Sequence, residues 1–429
     1  MAGPHDQSLN MGVDLSLIAD INLDQMQFSS NYYDIEQLLQ AYSMHKPFQY
    51  NCLHINIHSI PDKYDQLVRM LLDLKAYNIQ VHFIMLCETF LTDKAVAKCK
   101  IPGYELIYEN RKTLTKGGVA LYVSDMFTAK KLPDVGVHVE GEFETVFAEV
   151  KDGDKSMIVG EIYRIPQTNE KLSLERFNIT LSNIQKFNPS SIIIGTDQNF
   201  DYMNVNTNNN ILTLLNTFVT CGMLPTINKP TRITHTSATC IDNIYIKSSK
   251  LNQLFSAILL SDISDHLPVM TCYGTWQRKT KSPLIFSHRP LNDQTLCAIN
   301  NELKQTNWSY LYDSPVNEAY NNFVIKLNET LDKYAPVQTV SIPPNHIIEQ
   351  QWMTKGLLKS CKKRDKLFRQ SLGRPKHHSS HIKYIKYRNM LNALKRKAKE
   401  NHYKDLLHQF SGDIKKNLAN NKLINWAYE

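Results

Sequence analysis

At 429 residues, 42% of them hydrophobic, the chain is long enough to bury one large core with an appendage, and no run approaches 18 uninterrupted apolar residues, which excludes an ordinary membrane-spanning helix. Its formal charge of +8 is unevenly spread: from Trp352 onward 20 Lys and Arg stand against 5 Asp and Glu, about +15, leaving about −7 for everything before. Charge of one sign gathered in one segment is the footprint of a phosphate-backbone partner. Eight cysteines form no C-x-x-C pair, and Cys52, Cys87 and Cys221 lie in largely apolar stretches, so buried thiols are expected in place of a disulfide frame or a zinc site. With neither the basic nor the apolar region of a secretory signal at its start, the protein is expected to be soluble and intracellular, without membrane contact.

Residues 1–46 are polar, mildly acidic and without sustained periodicity, and read as a flexible leader. Residues 47–274 form the main domain. Its strand candidates are CLHINI, HFIMLCE, GVALYVS, ETVFAEV, MIVGEIY, SIIIGTD, IDNIYIK and LPVMTCY, with helical patterns at KYDQLVRMLLDLKAYN and LSLERFNITLSNIQKF. Strands outnumber helices, and several follow one another too closely for a crossover helix. This excludes a doubly wound parallel sheet and favours mixed or antiparallel sheets flanked by helices. Residues 275–350 read as a linker with helical segments, carrying Pro336, Pro343 and Pro344. Residues 351–429 read as a basic helical tail: Tyr384, Tyr387, Leu391, Leu394 and Ala398 fall at helical spacing, and Lys and Arg occupy much of the remaining circumference.

Polar residues recur where the strands end. HINIHSI brings Asn56, FIMLCET brings Glu88, GEIYRIP brings Tyr163, GTDQN brings Asp197 and Asn199, CIDNIYI brings Asp242, and SDISDHLP brings Asp265 and His266. One acid at a strand end is ordinary turn chemistry. Six strand ends, each delivering an acid, amide, phenol or imidazole, point to a shared site. Hard oxygen ligands without a thiolate cluster or paired histidines suit Mg²⁺, with Mn²⁺ as substitute, and Glu88 at the rim of a dry core is the first candidate to hold it. A divalent cation beside an acid and an imidazole makes phosphoester hydrolysis the natural reaction class.

The ordered set HINIHS, LCET, GGVALYV, EIYRIP, GTDQN, IDNI and SDHLP, over about residues 48–273, resembles the DNase I-like endonuclease/exonuclease/phosphatase superfamily. More narrowly it resembles the apurinic-type endonuclease domain of non-LTR retrotransposons, and the basic stretch ending in INWAYE resembles the connector that precedes their reverse transcriptase. The resemblance implies a four-layer α/β sandwich: two packed mixed β-sheets flanked by helices. It makes Glu88 the principal metal ligand and Asp265 the second acid near the metal. Asp197 would orient or deprotonate the attacking water, Asn199 contact the scissile phosphate, and Tyr163 stabilise the phosphate or leaving group. Asp242 would fix the tautomer of a His266 that faces the phosphate, with Asn56 supporting the network.

Two departures stand out. Gly195-Thr196-Asp197-Gln198-Asn199 has one residue more after the glycine than the Gly-Asp-Phe-Asn of many relatives, and His58 stands where many have Arg or a further acid. The loop PTRITHTSAT, with Thr231 and Arg232, is expected beside the site and within reach of DNA, as are Lys395, Arg396 and Lys397 of the tail. The activity implied is Mg²⁺-dependent nicking of one DNA strand to leave a 3′-hydroxyl, in the nucleus, as in target-primed retrotransposition. Element RNA is a further expected partner of the tail. An abasic-site repair nuclease, a phosphoinositide or sphingolipid phosphoesterase, and a non-catalytic nucleic-acid-binding relic are the alternatives.

Overall fold

The computed structural model describes residues 30–45, 47–248, 253–275, 284–342 and 350–409. Residues 1–29 of the expected leader and the INWAYE end of the expected connector lie outside the described residues. The chain divides into two compact units, residues 1–277 with 348–429, and residues 278–347.

The larger unit begins with β1 (Asn31–Tyr33), α1 (Ile35–Ser43), β2 (Phe48–Asn56), α2 (Ile60–Ala76), β3 (Phe83–Cys87), α3 (Asp93–Val96), β4 (Tyr104–Glu109), β5 (Val119–Ser124) and β6 (Thr128–Lys131). It continues with β7 (Phe143–Asp152), β8 (Lys155–Arg164), α4 (Glu170–Gln185), β9 (Ser191–Asp197), α5 (Asn209–Thr220) and β10 (Leu224–Pro225). Then come β11 (Arg232–Ile233), β12 (Ala238–Thr239), β13 (Asp242–Ser248), β14 (Leu254–Leu259) and β15 (Val269–Thr275). The smaller unit is the hairpin of β16 (Leu284–His288) and β17 (Gln338–Ile342), enclosing in sequence α6 (Asp293–Gln305) and α7 (Val316–Tyr334). Back in the larger unit are α8 (Lys355–Ser371) and α9 (Ser379–Gln409).

Two sheets carry the fold, as the resemblance implies. One has the strand order β1-β14-β15-β2-β3-β5-β4, the other β10-β13-β9-β8-β7-β6. Each is mixed: β2 runs parallel to β3 and β8 to β9, while their other neighbours are antiparallel. The inner faces share one apolar cluster, in which Cys52, Phe83, Met85 and Leu121 of the first sheet join Val146, Val159 and Ile193 of the second. Helices flank the pair. Strand β9 is central because its Ile192-Ile193-Ile194 run is fully buried on both faces, and α5 closes over its neighbour β13 by stacking Phe218 on Tyr245 at 3.6 Å between ring centroids. Ser59 caps α2 by accepting from the Asp62 amide, with a proline in the first turn, which stops the chain directly after Asn56 and turns it into a helix.

Residues 31–43, read from sequence as leader, instead form β1 and α1. β1 pairs parallel with β14, the Ser30 hydroxyl donates to Asn228 at 2.7 Å, and Leu38 is fully buried. A three-residue strand is too short for a period to register; the local signal that was present is the Asp34-x-x-Gln37 capping box. Strands β4 and β14 were likewise absent from the sequence reading, β4 being an edge strand whose Glu105 is exposed while Ile107 is buried.

Within the larger unit, helices α8 and α9 pack on its acidic body through ion pairs. Arg364 meets Asp262 at 3.2 Å, Lys399 meets Asp65 at 2.9 Å, Arg369 pairs with Asp34, and the Tyr384 hydroxyl donates to Asp262 at 3.1 Å. Trp352, Met353, Leu357, Cys361 and Leu391 form a second apolar cluster. Of the predicted apolar stripe, Tyr384 and Leu391 are buried, whereas Leu394 is 49% exposed. All eight cysteines are free, and among the described residues no helix is long and apolar enough to cross a membrane.

Candidate active site

Register does the assembling. Antiparallel pairing sets Asp242 of β13 opposite Asp197 of β9, and parallel pairing sets Asp197 opposite Tyr163 of β8, so three side chains stand abreast at one end of the second sheet. In the first sheet Asn56 lies opposite Cys87, which places Glu88 one residue past the same edge. Glu88 (φ 49°), His58 (φ 50°) and Asn199 (φ 50°) take left-handed backbone just beyond their strands and re-aim their side chains there.

The two sheet ends meet through hydrogen bonds. The Asn56 amide Nδ2 donates to Glu88 Oε1 at 2.8 Å and to Asp197 Oδ2 at 2.9 Å, and the Tyr163 hydroxyl donates to Glu88 Oε1 at 2.9 Å. His266 Nδ1 lies 3.0 Å from both oxygens of Asp242 and 3.9 Å from Asp197 Oδ2. Glu88 and His266, 178 positions apart in sequence, are therefore joined by Asn56 and Asp197. His58 reaches the outer oxygen of Glu88 at 3.0 Å from a position 58% exposed.

Burial sets the protonation states. Asp197 is pushed up to about 7, first by burial and then by the Asp242 charge, against the pull of His266 and the Asn56 amide. Burial would lower His266, but the Asp242 and Asp197 carboxylates outweigh it and hold the imidazole at about 9. Asp242 sits below the usual carboxylate range: burial opposes its charge, yet the His266 and His54 imidazoles overcome it. Burial, followed by the Glu88 charge, drives the Tyr163 phenol well above its ordinary value, so it remains a donor.

The residues fit a hard divalent cation. Asn56 Oδ1 and Asp197 Oδ1 are buried acceptors with no partner among the described residues, close to the Glu88 carboxylate, so oxygen donors stand there without a hydrogen to accept. Glu88 with the Asn56 amide oxygen is the set that would hold it.

The side chains of Asp265, Arg232 and Asn199 bond outside this cluster, whereas Thr231 joins it in a supporting role. The exposed carboxylate of Asp265 pairs with Arg232 at 2.8 Å, so Arg232 is spent on a neighbour and Asp265 makes no bond to Glu88. Thr231, expected on a DNA-reaching loop, is fully buried, and its hydroxyl donates to Asp242 at 2.5 Å. A β-turn sequence told of a loop; the antiparallel contact of Arg232 with His266 pulled it inward. One N–H of the Asn199 amide donates to the Arg164 carbonyl at 2.7 Å. On α9, Lys395 is half-buried, whereas Arg396 and Lys397 are exposed.

Sequence reading missed a pair behind the site. His54 is fully buried, with Nδ1 3.0 Å from Glu161 and Nε2 3.4 Å from Asp242. Burial would lower this imidazole, but Glu161 and Asp242 hold it up at about 10, so it donates to both acids. His54, Glu161 and Cys87 are close enough to suggest a metal, but both ring nitrogens are already occupied by carboxylates. The signal was the strand period: His54 lies two before Asn56, and Glu161 two before Tyr163, each on the inward face.

Gly195 makes room for that pair. A Cβ there would lie 2.4 Å from Glu161 Oε2, 2.8 Å from Met85 Cβ and 3.0 Å from His54 Nδ1. Gly195→Ala is expected to lower stability by about 1–3 kcal/mol through overpacking, read as a lower urea midpoint at unchanged slope. An unaltered midpoint would show that the pair has slack.

No family model matches the chain, and a search of curated proteins gave no match. Among solved structures, the chain is similar to the endonuclease domain of TRAS1, a telomere-specific non-LTR retrotransposon, at 14% identity over 54% of this chain and 100% of that one, with a TM-score of 0.41. It is similar to the mannosyl-6-phosphatase Bt3783 of Bacteroides thetaiotaomicron VPI-5482, at 14% identity over 52% and 99% of the two chains (TM-score 0.40), and to truncated Caenorhabditis elegans TDP2, at 14% identity over 53% and 98% (TM-score 0.39).

Proposed function

We propose that the chain is a divalent-metal-dependent phosphodiesterase that nicks one strand of duplex DNA and leaves a 3′-hydroxyl. The observation that supports this reading is the Glu88–Asn56–Asp197–His266 chain of contacts, in which oxygen donors able to hold a hard cation, a carboxylate able to accept a proton and an imidazole lie in one cluster. The basic helices α8 and α9 favour a polymer of phosphates over a small phosphoester.

Asp197, poised near neutrality, takes a proton of the attacking water as the water oxygen bonds to phosphorus and the bond from phosphorus to the 3′ oxygen breaks, and the departing 3′ oxygen takes a proton from solvent water to become the hydroxyl. His266, held charged by Asp242, opposes the negative charge that builds on the phosphate, and the Tyr163 hydroxyl donates into the same region. Thr231 and His54 keep the Asp242 carboxylate oriented by bonding its two oxygens. When bound, a divalent cation supplies positive charge against the phosphate oxygens. Asp265 would join Glu88 near it only by leaving Arg232.

The test is relaxation of a supercoiled plasmid. Nicking is expected with Mg²⁺ or Mn²⁺, stopped by EDTA and restored by either ion, with Glu88→Gln raising the half-saturating Mg²⁺ concentration about tenfold or more. A duplex carrying an abasic site and a phosphoinositide are the parallel substrates. Undiminished turnover in EDTA, or exclusive hydrolysis of either parallel substrate, would overturn the reading.

A further inference from the structure

The basic helices do not stand off from the domain; they complete a groove that leads to its site. One wall consists of His58, whose ring bonds Glu88, together with Lys63, Thr234 and Asp265. The other is the turn between α8 and α9, with Arg374, Lys376 and, from the first turns of α9, Arg388. The turn is seated closely: Phe368 packs against the main core, and Gly373 (φ 69°) lies against β11, where an added Cβ would come within 3.7 Å of Ile233. The space enclosed is about 380 Å³, the size of a ligand cleft.

The exposed charge at the α8–α9 turn of this groove is uncompensated. Its two acids already have partners: Asp262 accepts from Gln66 at 2.8 Å and meets Arg364 at 3.2 Å, and Asp265 is paired with Arg232. Lys63 donates to the Ile263 carbonyl at 2.7 Å and is held below its ordinary value by burial, with the Asp262, Asp62 and Asp265 carboxylates acting against that, and Arg388 lies over the Tyr384 ring at 5.5 Å. Arg374 and Lys376 are exposed and have no carboxylate partner among the described residues. A short β11–β12 hairpin borders the same opening through Ile233 and Thr234.

We infer that this groove is a binding site for the sugar-phosphate backbone of duplex DNA, with Lys63, Arg374, Lys376 and Arg388 taking successive phosphates and the α8–α9 turn serving as the clamp that holds the strand against the catalytic cluster. The inference rests on the phosphodiesterase reading for its direction, since the groove opens beside Glu88 through His58. It moves the nucleic-acid contact from the outer face of α9, where Arg396 and Lys397 lie exposed, to the inner end of the hairpin.

The experiment uses the full chain carrying Asp197→Asn and a labelled 20-base-pair duplex, with anisotropy recorded over a salt series. Arg374→Glu/Lys376→Glu is expected to weaken binding about tenfold at physiological salt and to flatten the slope of log K against log salt by about 2, one unit for each phosphate that is no longer neutralised. Matched thermal melts check the fold, and Arg374→Gln/Lys376→Gln gives the same direction with less perturbation. An unchanged slope in both variants overturns the inference. So does a slope change found in Arg396→Glu/Lys397→Glu alone, or competition by polyglutamate equal to that of DNA at the same charge. Plasmid nicking by the unsubstituted chain is measured separately, so failure of the phosphodiesterase reading and failure of the groove are read from different assays.

Discussion

His266→Ala is expected to lower the single-turnover nicking rate by about 10²–10⁴, and Asp197→Asn by a similar factor, the range of a positioned acid, base or charge stabiliser. The pH profile distinguishes these roles from a general loss of structure. Under the proposed mechanism the rate needs Asp197 without its proton and His266 with one. With Asp197 raised to about 7 and His266 held at about 9, kcat/KM should climb through the first value and fall through the second, giving a maximum between them. Asp197→Asn should remove the acid limb. Asp242→Asn takes away the largest influence holding the imidazolium, so the alkaline limb should move to lower pH. A profile that is flat across this range, or one left unmoved by Asp242→Asn, would refute the pairing of roles while the circular dichroism spectra remain alike.

His54→Leu is expected to cost about 3–5 kcal/mol, because removing one member of a buried ionic group leaves its partner Glu161 uncompensated. Glu161 would face an apolar interior without the ring that now donates to it, whereas Asp242 would lose one donor and keep His266 and Thr231. Replacing Glu161 as well, in His54→Leu/Glu161→Leu, should recover much of the loss, since two packed apolar groups need no partner. The sign with pH follows from the raised imidazole. An unfolded histidine titrates near 6.5 and this one near 10, so the stability it contributes is complete below about 6.5 and lost as pH rises through about 10. Urea midpoints of the unsubstituted chain should therefore decline over that interval more steeply than those of His54→Leu. Equal slopes would mean that His54 is neutral when folded.

These two experiments act on different parts of one arrangement. The first tests groups proposed to meet the substrate, the second a pair buried away from solvent: Glu161 and His54 are sealed between the sheets and reach the proposed site by holding Asp242. Their removal should accordingly change stability far more than it changes the shape of the pH profile.

Much of the site could be read directly from the chain. Glu88 follows Ile84-Met85-Leu86-Cys87, and Asp197 follows Ile192-Ile193-Ile194; in each case an apolar run buried on both faces forces the next polar side chain to the rim. The α8–α9 segment announced its charge, and Asp34-x-x-Gln37 announced a helix start that the polar composition around it obscured. Such signals are short-range: they depend on burial, capping and period within a few residues of the group concerned.

What the sequence by itself determined, then, was which side chains would stand at strand ends and that the sheets would be mixed or antiparallel with helices beside them. The tertiary structure alone decided which ends are neighbours. Asp242 stands beside Asp197 because β13 pairs antiparallel with β9, and Asn56 reaches Asp197 because two inner faces pack together, at a separation of 141 positions. Burial then gave the cluster its chemistry, raising Asp197 and, through Asp242, holding a proton on His266. It also turned Thr231 from a surface contact into a support for Asp242 and drew the basic helices onto Asp262, Asp65 and Asp34. Pairing and desolvation are properties of chain segments brought together from far apart, so no local pattern could encode them.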